Sequence, residues 1–410
     1  MLFTVLIAVL GSLVYLARSL KVRLGAVLRR NRRAERDEEA PIVIFSESRR
    51  YWTNFEGVCD ELEKREQPAL YLTESADDPV FQKGYRFVRA ECIGEGNRAY
   101  ARLNFLRAGV VLATTPSLDV YQWKRSRGAK WYVHLPHSPN DSVLRYRMFG
   151  TDYYDAILLP GEYQIGQIRR LEKLRGLPEK ELVLAGLPYM DAMKKRLEEA
   201  PPLPEGPRTV LLGPSWGESG ILSRYGGEMI EALLRTGYRV IIRPHPQSWS
   251  SEKELMEKLT AAYPDGERIE WNRDSDNFEA LRRADILISD FSGVIFDFAL
   301  VFDKPVIYAD TSFDRSPYDC WWLEEELWTF ETLPKIGARL TRESLPEMKS
   351  LIDRCIESRE YREARRKARE ETWCHIGESA RVTADYLIRK AQELRERGEN
   401  GEAAKNRKAS

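Results

Sequence analysis

Several things are scarce in this sequence, and each scarcity narrows what the chain can be. Lys plus Arg and Asp plus Glu balance at 64 each. No overall field therefore draws the chain to nucleic acid, which is not expected as a partner. The five cysteines, Cys59, Cys92, Cys320, Cys355 and Cys374, are scattered with no C-x-x-C spacing. That excludes a zinc knuckle and a disulfide framework, and an odd number suits a reducing compartment. No repeat of solenoid length recurs. Histidine is scarce too: His134, His137, His245 and His375 are the full set, so each is a candidate for chemistry. What remains is 410 residues, 43% hydrophobic and 10% aromatic. That is enough for two or three domains with sizeable cores, and it rules out a disordered or collagen-like chain.

One long apolar run stands apart. Met1 to Ala17 carry no charge. As a helix they reach about 26 Å, slightly short of a ~30 Å hydrocarbon core, and Arg18 can close the gap by snorkelling. Basic residues follow the run: Arg18, Lys21, Arg23, Arg29, Arg30, Arg32 and Arg33, with no acidic residue among them. That order is wrong for a cleaved signal peptide, and it places the C-terminal side in the cytoplasm by the positive-inside rule. The expectation is a single-pass anchor over 1–20 in the inner (cytoplasmic) membrane. A basic juxtamembrane segment over 21–40 lies against anionic membrane lipid, with the body of the chain in the cytoplasm.

From Pro41 onward short β-rich runs alternate with amphipathic stretches, the pattern of an α/β fold with parallel sheets. Buried strands are predicted at Pro41, Ala69, Gly109, Lys130, Ala156 and Leu182, with helices over 51–65 and 162–175. Pro201, Pro202, Pro204 and Pro207 then form a stiff connector. A second block repeats the pattern, with strands at Thr209, Arg239, Asp285 and Pro305. The predicted organisation is two Rossmann-like domains, 41–200 and 208–375, with a cleft between them. A closing helix over 376–397 and a disordered tail over 398–410 follow. With the N-terminal membrane helix, this is the GT-B architecture of many nucleotide-dependent transferases.

Three strand ends carry polar groups. In the run Asp285 to Tyr308 a buried strand leads through Ser289, Asp290, Phe291, Ser292 and Gly293 into a helix. The C-terminal ends of parallel strands are where such sheets bind ligands, and a helix N-terminus suits phosphate. Asp290 and Ser292 would equally serve as plain helix caps. Arg243-Pro244-His245-Pro246 closes a second strand of the same block, with a histidine held between prolines. In the first block, His134 and His137 lie at a strand end, each with a proline within two residues. They suit a base better than a metal, since no clustered carboxylates accompany them, and no metal or cofactor is expected. The Gly-rich stretch Gly213 to Gly220, with Ser215 inside it, lacks the lysine of a P-loop. Trp321, Trp322, Trp328 and Phe330 offer rings that suit either a core or a nucleobase.

These landmarks, in order, resemble a known family. ISDFSGVIFDFALVFDKPVIY, from Ile288, resembles the S-D-Y-S-S-x-x-F-D-F…K-P motif of the CDP-glycerol glycerophosphotransferases of teichoic acid synthesis. Arg243 to Pro246 look like the family's strand-end H-P, and Val210 to Trp216 are similar to its A-P-T-W segment. Leu184 to Asp191 resemble G-x-P-R-x-D, with Met190 where arginine is usual, and His375 to Val382 resemble the late helix start. Pro136 to Tyr163 look like the H-S-P version of its first-domain motif, which aligns His137 with the motif histidine. Gly293 stands where the family has a second serine.

The resemblance implies transfer of glycerol phosphate, or a related polyol phosphate, from a CDP-activated donor to a lipid-linked or membrane-embedded acceptor hydroxyl, with release of CMP. It implies an acceptor domain followed by a donor domain. His137 would be the base, with His134 and His245 beside it in the chemistry. Arg243, Ser289, Asp290, Ser292, Gly293, Ser215 and Glu378 would hold the donor. A homo-oligomer is compatible with this reading. The alternatives on the same fold are a nucleotide-sugar glycosyltransferase or epimerase, with Glu378 at the ribose, and a membrane-tethered binding protein without activity.

Overall fold

The computed structural model describes residues 39–409 apart from 275 and 310–312, with 401–409 as backbone alone. Among the described residues no helix is long and apolar enough to cross a membrane. The expected anchor, and the basic segment as far as residue 38, lie outside the described residues.

Two parallel sheets organise the chain. The first contains β1 (Ala40–Ser46), β2 (Ala69–Thr73), β3 (Val88–Cys92), β4 (Arg107–Ala113), β5 (Gly128–His134), β6 (Ala156–Leu159) and β7 (Glu181–Leu184), in the order 3-2-1-4-5-6-7. The second contains β8 (Thr209–Leu212), β9 (Arg239–Ile242), β10 (Ile269–Trp271), β11 (Ile286–Ser289), β12 (Val306–Ala309) and β13 (Gly337–Leu340), in the order 10-9-8-11-12-13. Side chains alternate across a strand, and each central strand supplies both faces of its sheet. Ile42 and Ile44 join one apolar cluster while Val43 and Phe45 join another. Val210 and Leu212 face a third cluster, and Leu211 faces a fourth. Such two-sided burial explains why these strands read as continuous apolar runs.

The chain crosses between the domains twice. The first crossing falls at Gly186 and Leu187, earlier than the proline-rich connector. The helix Pro188–Glu199 already packs Leu187, Tyr189 and Met190 into a second-domain cluster with Phe278 and Phe296. The second crossing follows the helix Arg359–Thr372. The C-terminal helix Ser379–Ala409 then returns to the first domain, where Tyr386 and Leu387 pack with Ile42, Trp52 and Val110. This helix runs on through the stretch from 398 that was expected to be a disordered tail. Its Glu, Lys, Arg and Ala content explains the difference, since those residues favour helix without apolar packing.

The two crossings touch. Asp191 accepts hydrogen bonds from Gly377 N (2.8 Å), Ser379 N (2.8 Å) and Trp373 Nε1 (3.0 Å). Gly186 has φ +77°, and a Cβ there would stand 2.3 Å from the Cys374 carbonyl oxygen. Only glycine fits that backbone and that approach. Two of the ordered landmarks in the sequence, around Asp191 and around Gly377, are thus the two halves of one inter-domain clasp.

Candidate active site

In the second sheet the order reverses between β8 and β11, the place where doubly wound sheets open a ligand crevice. The loops after β8, β9 and β11 gather there. Ser289 donates its hydroxyl to the Gly213 carbonyl at 2.6 Å. The Asp290 carboxylate accepts from Ser215 N (3.0 Å), Ile221 N (3.3 Å) and Ser292 N (3.3 Å). Both side chains are buried, Ser289 at 0% and Asp290 at 1% exposure, and burial raises the Asp290 carboxyl above its usual range. Expected as donor ligands, these two are internal braces that hold the loops in register. Ser215 takes part in that bracing through its backbone.

The residues that reach open space are Gly213, Pro214, Ser292, Arg243 and His245. Arg243 is oriented by a hydrogen bond to the side-chain oxygen of Asn272. His245 accepts at Nδ1 from Gln247 N at 3.1 Å. Its imidazole is held below its usual pKa, by burial first and then by the positive Arg145 and Arg50. The helix expected after Gly293 is only Val294–Phe296, followed by a π-helical turn, Asp297–Val301. The α-helical part is therefore shorter than expected, and the helical backbone continues through the π turn to Val301.

On the first-domain side, β5 ends at His134, and the loop beyond carries His137. His134 is fully enclosed, with Nε2 2.7 Å from the Tyr146 hydroxyl. Burial holds its pKa down to about 3. It is a neutral packing residue and not a member of the cleft. His137 is half-buried and lines the cleft, its ring edge-on to Tyr51 at 5.1 Å between centroids. Nη2 of Arg145 lies 2.9 Å from His137 Nε2. Arginine can only donate, so Nε2 carries the lone pair and the ring proton sits on the buried Nδ1. Burial, then Arg145 and His134, keep this imidazole well below its usual pKa, hence neutral at physiological pH.

Both walls face one cavity of about 1280 Å³, larger than the roughly 300–1,000 Å³ of ordinary small-molecule sites. Asp297 also lines it, a residue that the sequence reading quoted without a role. Burial raises its carboxyl to about 6, and the Tyr189 hydroxyl donates to it at 2.6 Å. Glu378 does not line the cavity; it is exposed and paired with Arg381 at 3.0 Å, while its neighbours Gly377 and Ala380 do line it. The late aromatic cluster also lies elsewhere. Trp328 packs between Tyr163 and Phe296, and Trp322 lies over Arg175, so these rings join the domains and do not line the cavity. Among the described residues no three His, Cys, Asp or Glu side chains stand close enough to hold a metal ion.

Two doubly wound domains that bring polar strand ends to a shared cleft make the GT-B class of fold, which hosts several chemistries. Within that class the chain belongs to the CDP-glycerol:poly(glycerophosphate) glycerophosphotransferase family, whose model matches residues 162–383, more than half of the sequence. It is a transferase of the CDP-glycerol glycerophosphotransferase type. The match begins after His134 and His137, so it covers the second domain's strand ends and the clasp. Among solved structures, the wall teichoic acid polymerase TagF is similar over 92% of this chain and 97% of its own, at 15% identity and a TM-score of 0.55. The UDP-GlcNAc 2-epimerases of Neisseria meningitidis (TM-score 0.54) and Methanocaldococcus jannaschii (TM-score 0.55) are similar over 85% of this chain and 99% of theirs, each at 14% identity. At such identities the likeness establishes the fold. No curated protein matches the chain.

Proposed function

We propose that the protein transfers glycerol phosphate, or a related polyol phosphate, from its CDP-activated form to a hydroxyl of a membrane-associated acceptor. The acceptor oxygen forms a bond to the β-phosphorus. The bond from that phosphorus to the bridging oxygen breaks, and the bridging oxygen leaves with the electron pair as part of CMP. The acceptor's proton passes to Nε2 of His137, which is neutral and holds its lone pair on the cleft side. Arg243, His245 and Ser292 receive the diphosphate and stabilise the charge that grows on it. The observation that carries this reading is that His137 and the Arg243–His245–Ser292 group line one cavity from opposite domains. The uncharged run Met1–Ala17 and the basic residues behind it hold the body to the cytoplasmic face, beside a lipid-borne acceptor.

The test is to incubate the full-length protein, in vesicles, with a panel of CDP-polyols and nucleotide sugars. Release of CMP from CDP-glycerol or another CDP-polyol is expected. Turnover of UDP-sugars alone would replace this reading with a sugar-nucleotide activity.

A further inference from the structure

The replacement of the family's second serine by Gly293 has a physical counterpart in the first domain. A Cβ built on Gly293 would stand 2.9 Å from Nη1 of Arg145, 2.9 Å from Ser138 Oγ and 3.0 Å from Asn140 Oδ1. These three atoms belong to the loop that carries His137 and to the short helix Ser142–Arg145 that follows it, so the first domain reaches across the cleft and occupies the place of the missing side chain. Arg145 arrives there with its other terminal nitrogen on His137 Nε2, 2.9 Å away. Among the described residues it pairs with no carboxylate. The cations around the cavity mouth are mostly neutralised: Lys83 by Glu56 at 2.5 Å, Arg49 by Asp77 and Arg196 by Asp276. Arg145 is thus a guanidinium without a direct ion pair, held between the base and the turn that includes Ser292, with the buried Asp297 carboxyl within reach of its field. Its field is felt on both walls, at His137 and at His245.

We propose that Arg145 is the first-domain cation that receives the β-phosphate of the donor, and that position 293 is glycine because a side chain there would expel it. This inference rests on the donor reading above and adds a residue to it. A guanidinium offers a planar fork of donors matched to phosphate oxygens. Once Arg145 turns to the phosphate, Nε2 of His137 is released to accept the acceptor's proton, so donor arrival uncovers the base.

The test compares two probes that differ in the group Arg145 would hold. CDP-glycerol carries the β-phosphate and CMP lacks it. Calorimetry on the full-length protein in detergent should show that Arg145→Gln weakens CDP-glycerol about tenfold and leaves CMP affinity unchanged. Arg145→Lys should recover part of the loss. Gly293→Ala displaces only the far end of the arginine side chain and two small polar groups. It should reproduce the same selective loss, and the double variant should be no worse than either single one. Equal weakening of both probes by Arg145→Gln, or no weakening of either, would overturn the inference, as would additive losses in the double variant. A wild-type protein that binds neither probe would overturn the donor reading itself, and the inference with it.

Discussion

Three positions apart in the chain, His134 and His137 occupy different physical situations. The first is sealed behind Tyr146 and Tyr154, and the second faces solvent in the cleft. If His137 is the base, His137→Ala lowers kcat by about 10² to 10⁴ while CDP-glycerol affinity is nearly unchanged. Steady-state rates with donor titrations in parallel check this, and near-normal turnover would remove His137 from the mechanism. The proton transfer needs neutral imidazole. Because the folded pKa lies below 6.5, the neutral form persists into mild acid, so the acid limb of the kcat profile falls below pH 6.5. His134 shows its role in stability. Its pKa is depressed to about 3 in the folded state. Its contribution is therefore complete above about pH 6.5 and is lost as the pH falls toward 3, by up to about 1.4 kcal/mol per pH unit. Thermal melts of His134→Phe should decline less steeply from pH 7 to 5 than those of the wild type.

Among the elements, the strands missing from the sequence reading share one property. β3, β10 and β13 are all edge strands. An edge strand is covered on fewer sides, and Val88–Cys92 accordingly alternates through Arg89 and Glu91 without forming an apolar run. The central strands, buried on both faces, were legible because their burial is written directly as Val, Ile and Leu. The second-domain wall of the cavity was legible for a related reason: Arg243, His245 and Ser292 follow such strands at once, and strand ends in a parallel sheet share an edge. Tyr51, Arg145 and Asp297 were not, because loop and bridging-helix placement depends on how the two domains meet. The same holds for the clasp, whose partners are separated by nearly half of the chain. Asp191→Ala leaves three donors without their acceptor, and denaturant unfolding should show a loss of about 2–4 kcal/mol. A change below about 0.5 kcal/mol would mean that water replaces the carboxylate there.

At the scale of the whole molecule, the cleft is kept in shape by contacts far from its chemistry. The stretch from Phe313 to Phe330 leaves the second domain and lays Cys320, Leu323 and Leu327 against Val143 and Leu144 of the first. Beside them Arg175 is paired with Asp152 and with Asp319, each at 2.7 Å, with all three side chains at most 7% exposed. Removing one member of such a group strands buried charge. Arg175→Met should therefore cost about 3–5 kcal/mol of stability, read from chemical denaturation, and a loss under about 1 kcal/mol would show that the carboxyls simply take up protons. The C-terminal helix returns to the first domain and packs Tyr386 and Leu387 there, so the second chain crossing also ties the domains together. The central claim is that this cleft sets a donor on the second domain against a base on the first. A crystal structure of the His137→Ala protein with unreacted CDP-glycerol tests it most directly. The account predicts the diphosphate within hydrogen-bonding distance of Ser292, Arg243 and His245, with the glycerol phosphate directed at the vacated position 137. Nucleotide bound in the first domain, or a diphosphate away from those three residues, would contradict it.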